Sequence, residues 1–515
     1  GGGFFLPLVA ALPILVLLLA LLAFKMPAVK AGALAFTAAF ALGLFPFRIG
    51  LLGLSVSVAK GIALAFHVSL IVGAALFIYG LADRMGAIDV IGGALIRLVS
   101  DRLLLFLMLS WVFSSFLQGI AGFGVPVAIT APILVRLGFD PVLACSAVLL
   151  GHCWSISFGS MGSSLYALSL VTGTPAETLS WTFGLYGVPA MLAAGVGVCL
   201  LHGGWLSVRR GAFHLLSVGL VMTLALFLAV KLEATSLLGL TAGLAGLAGF
   251  IMLAKNRTTA LPAEPLPAGG NESLGLAEAI LPYLLVVGLS VAGQLAKIDR
   301  TLLSFSFPGY ATGLGHAVAP AGKFASIRLF GHPAPVIFVS AFLAMGYYRA
   351  RGKWKSSTLA AISGFAVNRT IPGFVSLAFL ISTATVMMGS GMTESMAMGI
   401  GRLSGKAYTL FAPFVGITGA FITGSNTNSN VIFGALQQSI AGVLGFSPLL
   451  FSGAQSIGGG VGCAIGPTQI LLGSTSVGLQ GREDALYRNL VPKVLAIGLL
   501  LGALNTILCL WGWVS

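Results

Sequence analysis

The sequence predicts an all-α polytopic membrane protein of about 12–14 transmembrane helices, with two inverted repeats that each contain a re-entrant helical hairpin. Of the 515 residues, 57% are hydrophobic and only 8% are charged, and the mean hydropathy is +1.04. Soluble domains contain about 25% charged residues. The composition therefore places most of the chain in a lipid bilayer, and helix breaks and an internal repeat specify the architecture.

The net charge of +14 comes from Lys and Arg residues that fall at the ends of apolar spans. They form no patch mixed with aromatic side chains, so nucleic acid is not an expected partner. Basic span ends favour the cytoplasm, and the firmest marker is the run from Arg349 to Lys355, with four positive charges in seven residues. We expect an integral protein of the plasma membrane, which is the inner membrane in a bacterium.

A linker rich in Pro, Gly and polar residues, 255–275, divides the chain into a first half, 1–254, and a second half, 276–515. Residues 4–24 lack a charged leader and a clean cleavage site, so they are expected to form a retained span. Between spans, 83–102 reads as an amphipathic connection and 307–332 as a loop or interfacial segment. The main predicted spans are 4–24, 31–47, 62–82, 103–117, 142–158, 183–202, 212–230, 236–254, 276–296, 335–348, 357–388 and 494–513.

Two stretches interrupt apolar sequence, and we predict a re-entrant motif at each. The first, 118–135, has three glycines and Pro126 ahead of an apolar piece that is too short to cross the bilayer, which takes about 20 helical residues. The second, 423–440, begins with eight uncharged residues, TGSNTNSN, of which all but Gly424 have polar side chains. Unpaired amides and hydroxyls are costly in lipid, so this run must face protein, water or a ligand. A helix that restarts there points free N–H groups into the gap, which suits a small anion.

The two motifs belong to an internal repeat. A shift of 307 positions places Leu137-Gly138-Phe139 on Leu444-Gly445-Phe446 and Pro141 on Pro448. Paired interrupted helices in the two halves of a chain point to a carrier site near the bilayer midplane. The basic flanks suggest that the second motif enters the membrane from the side opposite the first.

The stretches QGIAGFGVPVAIT (118–130), GSMG (159–162) and TGSNTNSN, followed by Gln437, closely resemble the lactate permease family, which includes glycolate permeases. The resemblance covers most of the chain. It implies a secondary carrier for lactate, glycolate and related 2-hydroxy monocarboxylates, usually coupled to protons. It also implies kinship with carriers whose paired hairpins form a mobile domain beside a scaffold, often in homodimers.

We expect the substrate carboxylate and hydroxyl to bind the polar run of the second motif, while the glycines of the first motif let backbone approach the ligand. Alternatives are a self-satisfied helix cap, tight helix packing and, for the two glutamines, a buried interhelical hydrogen bond. The predicted substrate-binding residues are Gln118, Gly122, Gly124, Ser160, Ser425, Asn426, Thr427, Asn428, Ser429 and Gln455.

Three positions depart from the family pattern, which has Glu, Asp and Lys where this chain has Gln118, Asn426 and Cys463. Proton coupling through those carboxylates is therefore not available. His152 and Glu394 are the remaining coupling candidates, each with a structural reading as well: an interior hydrogen-bonded histidine and a surface carboxylate. Coupling to H⁺, coupling to Na⁺ through helix-break carbonyls, and plain exchange stay open, and no other cofactor is expected.

Other classes of function fit less well. An enzyme is not expected, because the chain has no HExxH, no GxSxG and no paired aspartates in spans, and its six His residues lack metal-ligand spacing. An anion channel is the other alternative, and it would line its pore with rings of charged side chains or backbone carbonyls. Within carriers, the alternative substrate is another small anion, such as a different organic acid, an amino acid or a sulfonate.

Overall fold

A computed structural model describes residues 5–99, 101–122, 124–254, 274–296, 300–355 and 357–512. The predicted linker, 255–275, lies outside the described residues except for its last two positions. The first-half helices are α1 Phe5–Leu22, α2 Ala28–Leu44, α3 Gly50–Arg84, α4 Ala87–Leu98, α5 Arg102–Leu107, α6 Ser114–Ile120, α7 Val125–Arg136, α8 Pro141–Gly151, α9 Gly159–Thr172, α10 Ala176–Lys231 and α11 Leu238–Ala254.

The second half contains helices and four short strands. A π-helical turn, Met108–Phe113, joins α5 to α6, and a 3₁₀ turn, Cys153–Phe158, joins α8 to α9. The second-half elements are α12 Leu276–Ala296, β1 Thr301–Phe307, β2 Tyr310–Ala311, β3 Ala317–Val318, β4 Ala321–Arg328, α13 Pro333–Ala350, α14 Ser357–Gly389, α15 Met392–Ser404, α16 Tyr408–Thr423, α17 Asn426–Leu444, α18 Pro448–Cys463, α19 Pro467–Ser476 and α20 Glu483–Leu510.

The helices confirm the predicted class of helical membrane protein. Within the described ranges, eight helices are long and apolar enough to cross a membrane, or nine if the bent pair of α8 and α9 counts as one span. The expected 12–14 spans exceed this number because α1 and α2 are shorter apolar helices, and because α10 joins two predicted spans across a kink at Gly203 and Gly204.

A first bundle is built around the long antiparallel pair α3 and α14, with α1, α2, α4, α12 and α13 packed beside it. Small residues let the central pair approach closely. A β-carbon on Gly61 of α3 would lie 2.6 Å from the Cα of Ser382 on α14, so the two backbones are nearly in contact there. The predicted span over 357–388 is one unbroken helix, although it contains Pro372.

The segment 307–332, which the sequence predicts as a loop or interfacial stretch, instead contributes to an antiparallel β-hairpin of β1 and β4, with β2 and β3 near its tip. The hairpin docks on the first bundle. The Tyr310 hydroxyl lies 2.8 Å from Ser57 Oγ on α3, and the Gly313 N–H donates to the Arg48 carbonyl. Docking provides the burial that an isolated two-stranded hairpin lacks.

The second bundle comprises α5–α11 and α16–α20 and contains both predicted motifs. Its two repeats pack reciprocally. Helix α7 of the first repeat contacts α19 of the second, and α17, which corresponds to α7, contacts α9, which corresponds to α19. Such an exchange is what a pseudo-two-fold axis between two repeats produces.

Candidate functional site

The second motif is a true helix break. Helix α16 ends at Thr423, Gly424 has a left-handed backbone (φ 70°), and Ser425 is extended before α17 begins at Asn426. The positive φ at Gly424 is a conformation that glycine adopts without a steric penalty. Ser425 caps the new helix, since its side chain accepts a hydrogen bond from the Asn428 N–H at 3.4 Å. The N-terminus of α17 therefore opens inside the protein.

The first half supplies a strained break opposite this helix start. Three successive residues at the start of α9, Ser160, Met161 and Gly162, have left-handed backbone angles. Left-handed conformations cost about 1–2 kcal/mol for a residue with a side chain, and such strain clusters at functional sites. Ser160 is held in place because its hydroxyl accepts a 2.8 Å hydrogen bond from the Gly122 N–H.

The two breaks meet through a set of uncharged side chains that we call the amide cluster: Ser157, Ser164, Asn426, Asn430 and Ser456. Asn426 Nδ2 donates to Ser157 Oγ at 3.0 Å and lies 3.5 Å from Ser456 Oγ. Asn430, one turn further along α17, donates from Nδ2 to the Ser164 carbonyl at 3.1 Å and to Ser456 Oγ at 2.9 Å. All five side chains are buried. The cluster therefore joins both repeats.

A second layer of amides lies behind the cluster. Gln455 donates to Ser429 Oγ at 3.0 Å, and Gln437 donates to Gln455 Oε1 at 3.0 Å and to the Ala412 carbonyl at 2.7 Å. The Ser429 hydroxyl donates to the Gly416 carbonyl. This layer ties α16, α17 and α18 together, so it fixes the orientation of the face of α17 that carries Asn426 and Asn430.

The residues predicted from the first motif fall into two groups. Gln118 lies in the last turn of α6, against Gly159 at the start of α9, and a β-carbon on Gly122 would lie 2.9 Å from its Nε2. Gly122 joins the site through Ser160. Gly124 instead faces α19, because a β-carbon there would overlap Leu472. The structure therefore brings Gln118, Gly122 and Ser160 together, whereas Gly124 shapes the contact between the two repeats.

The remaining predicted residues of the second motif have different environments. Asn426 and Ser429 are buried, whereas Ser425, Thr427 and Asn428 are partly exposed. The Thr427 hydroxyl lies 2.9 Å from Ser164 Oγ, which gives a further link between α17 and α9.

No described hydrogen bond joins either coupling candidate to the amide cluster. The Nδ1 of His152 is 2.5 Å from the Val148 carbonyl of its own helix. Glu394 is exposed in the first turn of α15. Cys463 lies beside the backbone of Asn426. Both are neutral positions at which this chain departs from the family pattern.

Sequence reasoning missed part of the cluster. Ser157, Ser164, Asn430 and Ser456 are not among the predicted substrate-binding residues. Ser456 follows Gln455 directly, and Asn430 completes the predicted polar run, so an i, i+4 pairing of Asn430 with Asn426 was the available signal.

Comparisons with known proteins give a consistent result. The family model described as L-lactate permease matches residues 7–510. The chain is 26% identical to the L-lactate permease of Escherichia coli K12, over 97% of this chain and 95% of the relative, and 26% identical to that of Bacillus subtilis over the same shares. It is 24% identical to the glycolate permease of Escherichia coli K12, over 97% of this chain and 94% of the relative. A solved structure, that of the YdaH transporter of Alcanivorax borkumensis, matches with a TM-score of 0.45 and 16% identity, over 87% of this chain and 86% of that one.

Proposed function

This chain belongs to the L-lactate permease family, and we propose that it is a secondary transporter that moves lactate, glycolate or a related 2-hydroxy monocarboxylate by alternating access. Its bacterial relatives and its apolar helices indicate an integral protein of the bacterial inner membrane. The names of the relatives support the substrate class, and the site supports a small anion.

The observation that carries the proposal is the joining of two helix breaks around uncharged donors. The α17 N-terminus presents N–H groups and the positive end of a helix dipole, which favour a carboxylate. Hydroxyl and amide side chains from both repeats surround it, with Ser157 and Asn426 in direct contact. A carboxylate and a neighbouring hydroxyl find donors and acceptors there within a small volume.

The burial of the site supports alternating access. Asn426 is 2% exposed and Asn430 and Ser456 are 0% exposed, so a substrate reaches them only after neighbouring helices move. A channel needs a continuous path, whereas a closed site between two repeats suits a carrier that opens to one side at a time.

The test is counterflow in proteoliposomes made with the purified full chain. Vesicles loaded with unlabelled L-lactate should transiently accumulate labelled L-lactate, with saturation, because a carrier exchanges its bound substrate. Parallel assays with glycolate, propionate, pyruvate and methanesulfonate define the substrate class. Uptake without saturation or counterflow would indicate a channel, and counterflow with methanesulfonate but not with 2-hydroxy acids would move the substrate class to another small anion.

Asn426→Asp provides a charge-specific test of the site. A carboxylate at this buried position repels the substrate anion and loses the donor to Ser157, so the Km for uptake should rise about tenfold or more. Asn428→Gln, on a partly exposed neighbour, should have a smaller effect. Equal Km values for Asn426→Asp and the unmodified protein, with matched folding by size-exclusion chromatography, would remove Asn426 from the site.

A further inference from the structure

Two buried side-chain oxygens in the amide cluster have no hydrogen-bond donor among the residues that the structure describes: Oδ1 of Asn426 and Oδ1 of Asn430. Their residues are 2% and 0% exposed. Buried acceptors without partners are uncommon, and each one calls for an explanation. Their positions four residues apart put both side chains on one face of α17, where the Nδ2 atoms of both amides reach Ser456 Oγ, and Oδ1 of Asn426 points toward Gly459 of α18.

The chemistry of their partners fixes the orientation of both amides. Asn430 contacts the Ser164 carbonyl, which only accepts, so the atom facing it must be the NH₂ group. Ser157 uses its single proton to donate to the Ser456 carbonyl at 2.7 Å, so its oxygen must accept from Asn426. Exchanging oxygen and nitrogen in either side chain would place two acceptors against each other. The unpaired atoms are therefore carbonyl oxygens, whose partial charge is negative.

Charge balance points to what these oxygens bind. The amide cluster consists only of neutral side chains, yet on the proposed function it receives a carboxylate anion out of contact with water. An uncompensated buried charge is strongly unfavourable. A proton would need a titratable group, and no described hydrogen bond joins His152 or Glu394 to the cluster.

We propose that the Oδ1 atoms of Asn426 and Asn430 are ligands of a monovalent cation, Na⁺, that is transported together with the substrate anion. This inference rests on the proposed function, since the substrate carboxylate supplies the compensating negative charge. Na⁺ prefers oxygen ligands and is coordinated by neutral carbonyls at helix breaks in other carriers. The α17 N–H groups face the anion, and the amide oxygens face the cation.

The experiment measures labelled L-lactate transport in proteoliposomes with Na⁺, K⁺ or choline as the only added monovalent cation. We expect an inward Na⁺ gradient to drive lactate accumulation, and lactate to stimulate ²²Na⁺ uptake. Asn430→Ala should raise the Na⁺ concentration for half-maximal uptake about tenfold, which corresponds to about 1.4 kcal/mol. The matched control is Gln438→Ala on the same helix, which removes hydrogen bonds to Thr174 and Ser452 and should change that concentration less than about twofold.

The outcomes separate the cation site from the proposed function. Lactate counterflow of equal rate in Na⁺ and choline, without ²²Na⁺ flux, would overturn the cation site and leave the carrier intact. If no anion shows counterflow, the proposed function fails. The cation site is then judged by thermal unfolding without substrate: a rise in melting temperature in NaCl over KCl and choline chloride supports it, and no rise overturns it. The fluxes of the unmodified protein decide the question even if Asn430→Ala does not fold.

Discussion

Gly459 on α18 gives the sharpest test of the amide cluster, because its missing side chain leaves the space that Asn426 occupies. A β-carbon built on Gly459 would overlap Oδ1 of Asn426 and lie 3.1 Å from its Cγ, whereas the nearest backbone atom, the Gly416 carbonyl oxygen, is 3.5 Å away. The obstacle is the end of a rotatable side chain. Gly459→Ala should therefore turn Asn426 away while leaving the helices in place.

The expected magnitude follows from the contacts that Asn426 loses. Its hydrogen bond to Ser157 contributes about 0.5–1.5 kcal/mol net, and local overpacking costs about 1–3 kcal/mol. If about 1–3 kcal/mol of this total falls on substrate binding, kcat/Km for lactate falls roughly 5- to 150-fold. The melting temperature should fall less than in a variant whose obstacle is backbone, because the side chain can yield.

Two glycine variants serve as controls for Gly459→Ala in the same counterflow and thermal unfolding assays. Gly442→Ala on α17 adds a methyl group with nothing within 4 Å, so transport should be unchanged. Gly416→Ala would press a β-carbon into the Gln455 carbonyl oxygen, which is backbone and cannot rotate away, so this variant should lower the melting temperature or the yield. If Gly459→Ala transports lactate as well as Gly442→Ala does, the placement of Asn426 in the site is wrong.

Three further predictions address other parts of the fold. Ser160→Ala should lower the free energy of unfolding by about 1–3 kcal/mol in denaturant titration, because it leaves the buried Gly122 N–H without an acceptor; an unchanged value would mean that another group accepts there. Tyr310→Phe removes the hydroxyl bound to Ser57 and should cost about 0.5–1.5 kcal/mol in the same measurement, without changing the lactate Km. The pKa of His332 is lowered to about 3, mainly by burial and next by the neighbouring His67. Between pH 3 and about 6.5, the folded protein therefore binds fewer protons than the unfolded chain does. The melting temperature should therefore fall as the pH is lowered through this range. His332→Asn keeps a side chain that can cap α13, and it should reduce the slope of melting temperature against pH. An unchanged slope would mean that other groups cause the pH dependence.

Helix breaks were predictable because their causes are local. Gly424 and the polar run after it identify the start of α17, and the glycines and Pro126 identify the start of α7. The repeat was visible because Leu-Gly-Phe turns and prolines recur at a fixed offset. These are properties of short segments, in which residue type and backbone geometry are directly linked.

The partners across the site were not predictable, because tertiary packing decides them. Ser157 and Asn426 are 269 residues apart, and the repeat offset of 307 does not pair them. The left-handed backbone at Ser160 and Met161 has no local signal, since neither residue favours it; surrounding contacts impose it. The β-hairpin was missed for a similar reason, because docking against α3, through Tyr310, stabilises it.

The contact between the two bundles bears on the proposed alternating access. The helices that carry the cluster, α9 and α17, also face the first bundle, where Ala167 and Val431 are buried in an apolar group with Leu64 of α3 and Ile381 of α14. Apolar contacts are non-directional, so they can be remade after one helix slides past another, whereas the hydrogen bond from Asn430 to the Ser164 carbonyl is lost if α9 and α17 separate. Sliding of the second bundle as one body, with both repeats still joined, is therefore less costly than parting the repeats, and we expect access to alternate by that movement.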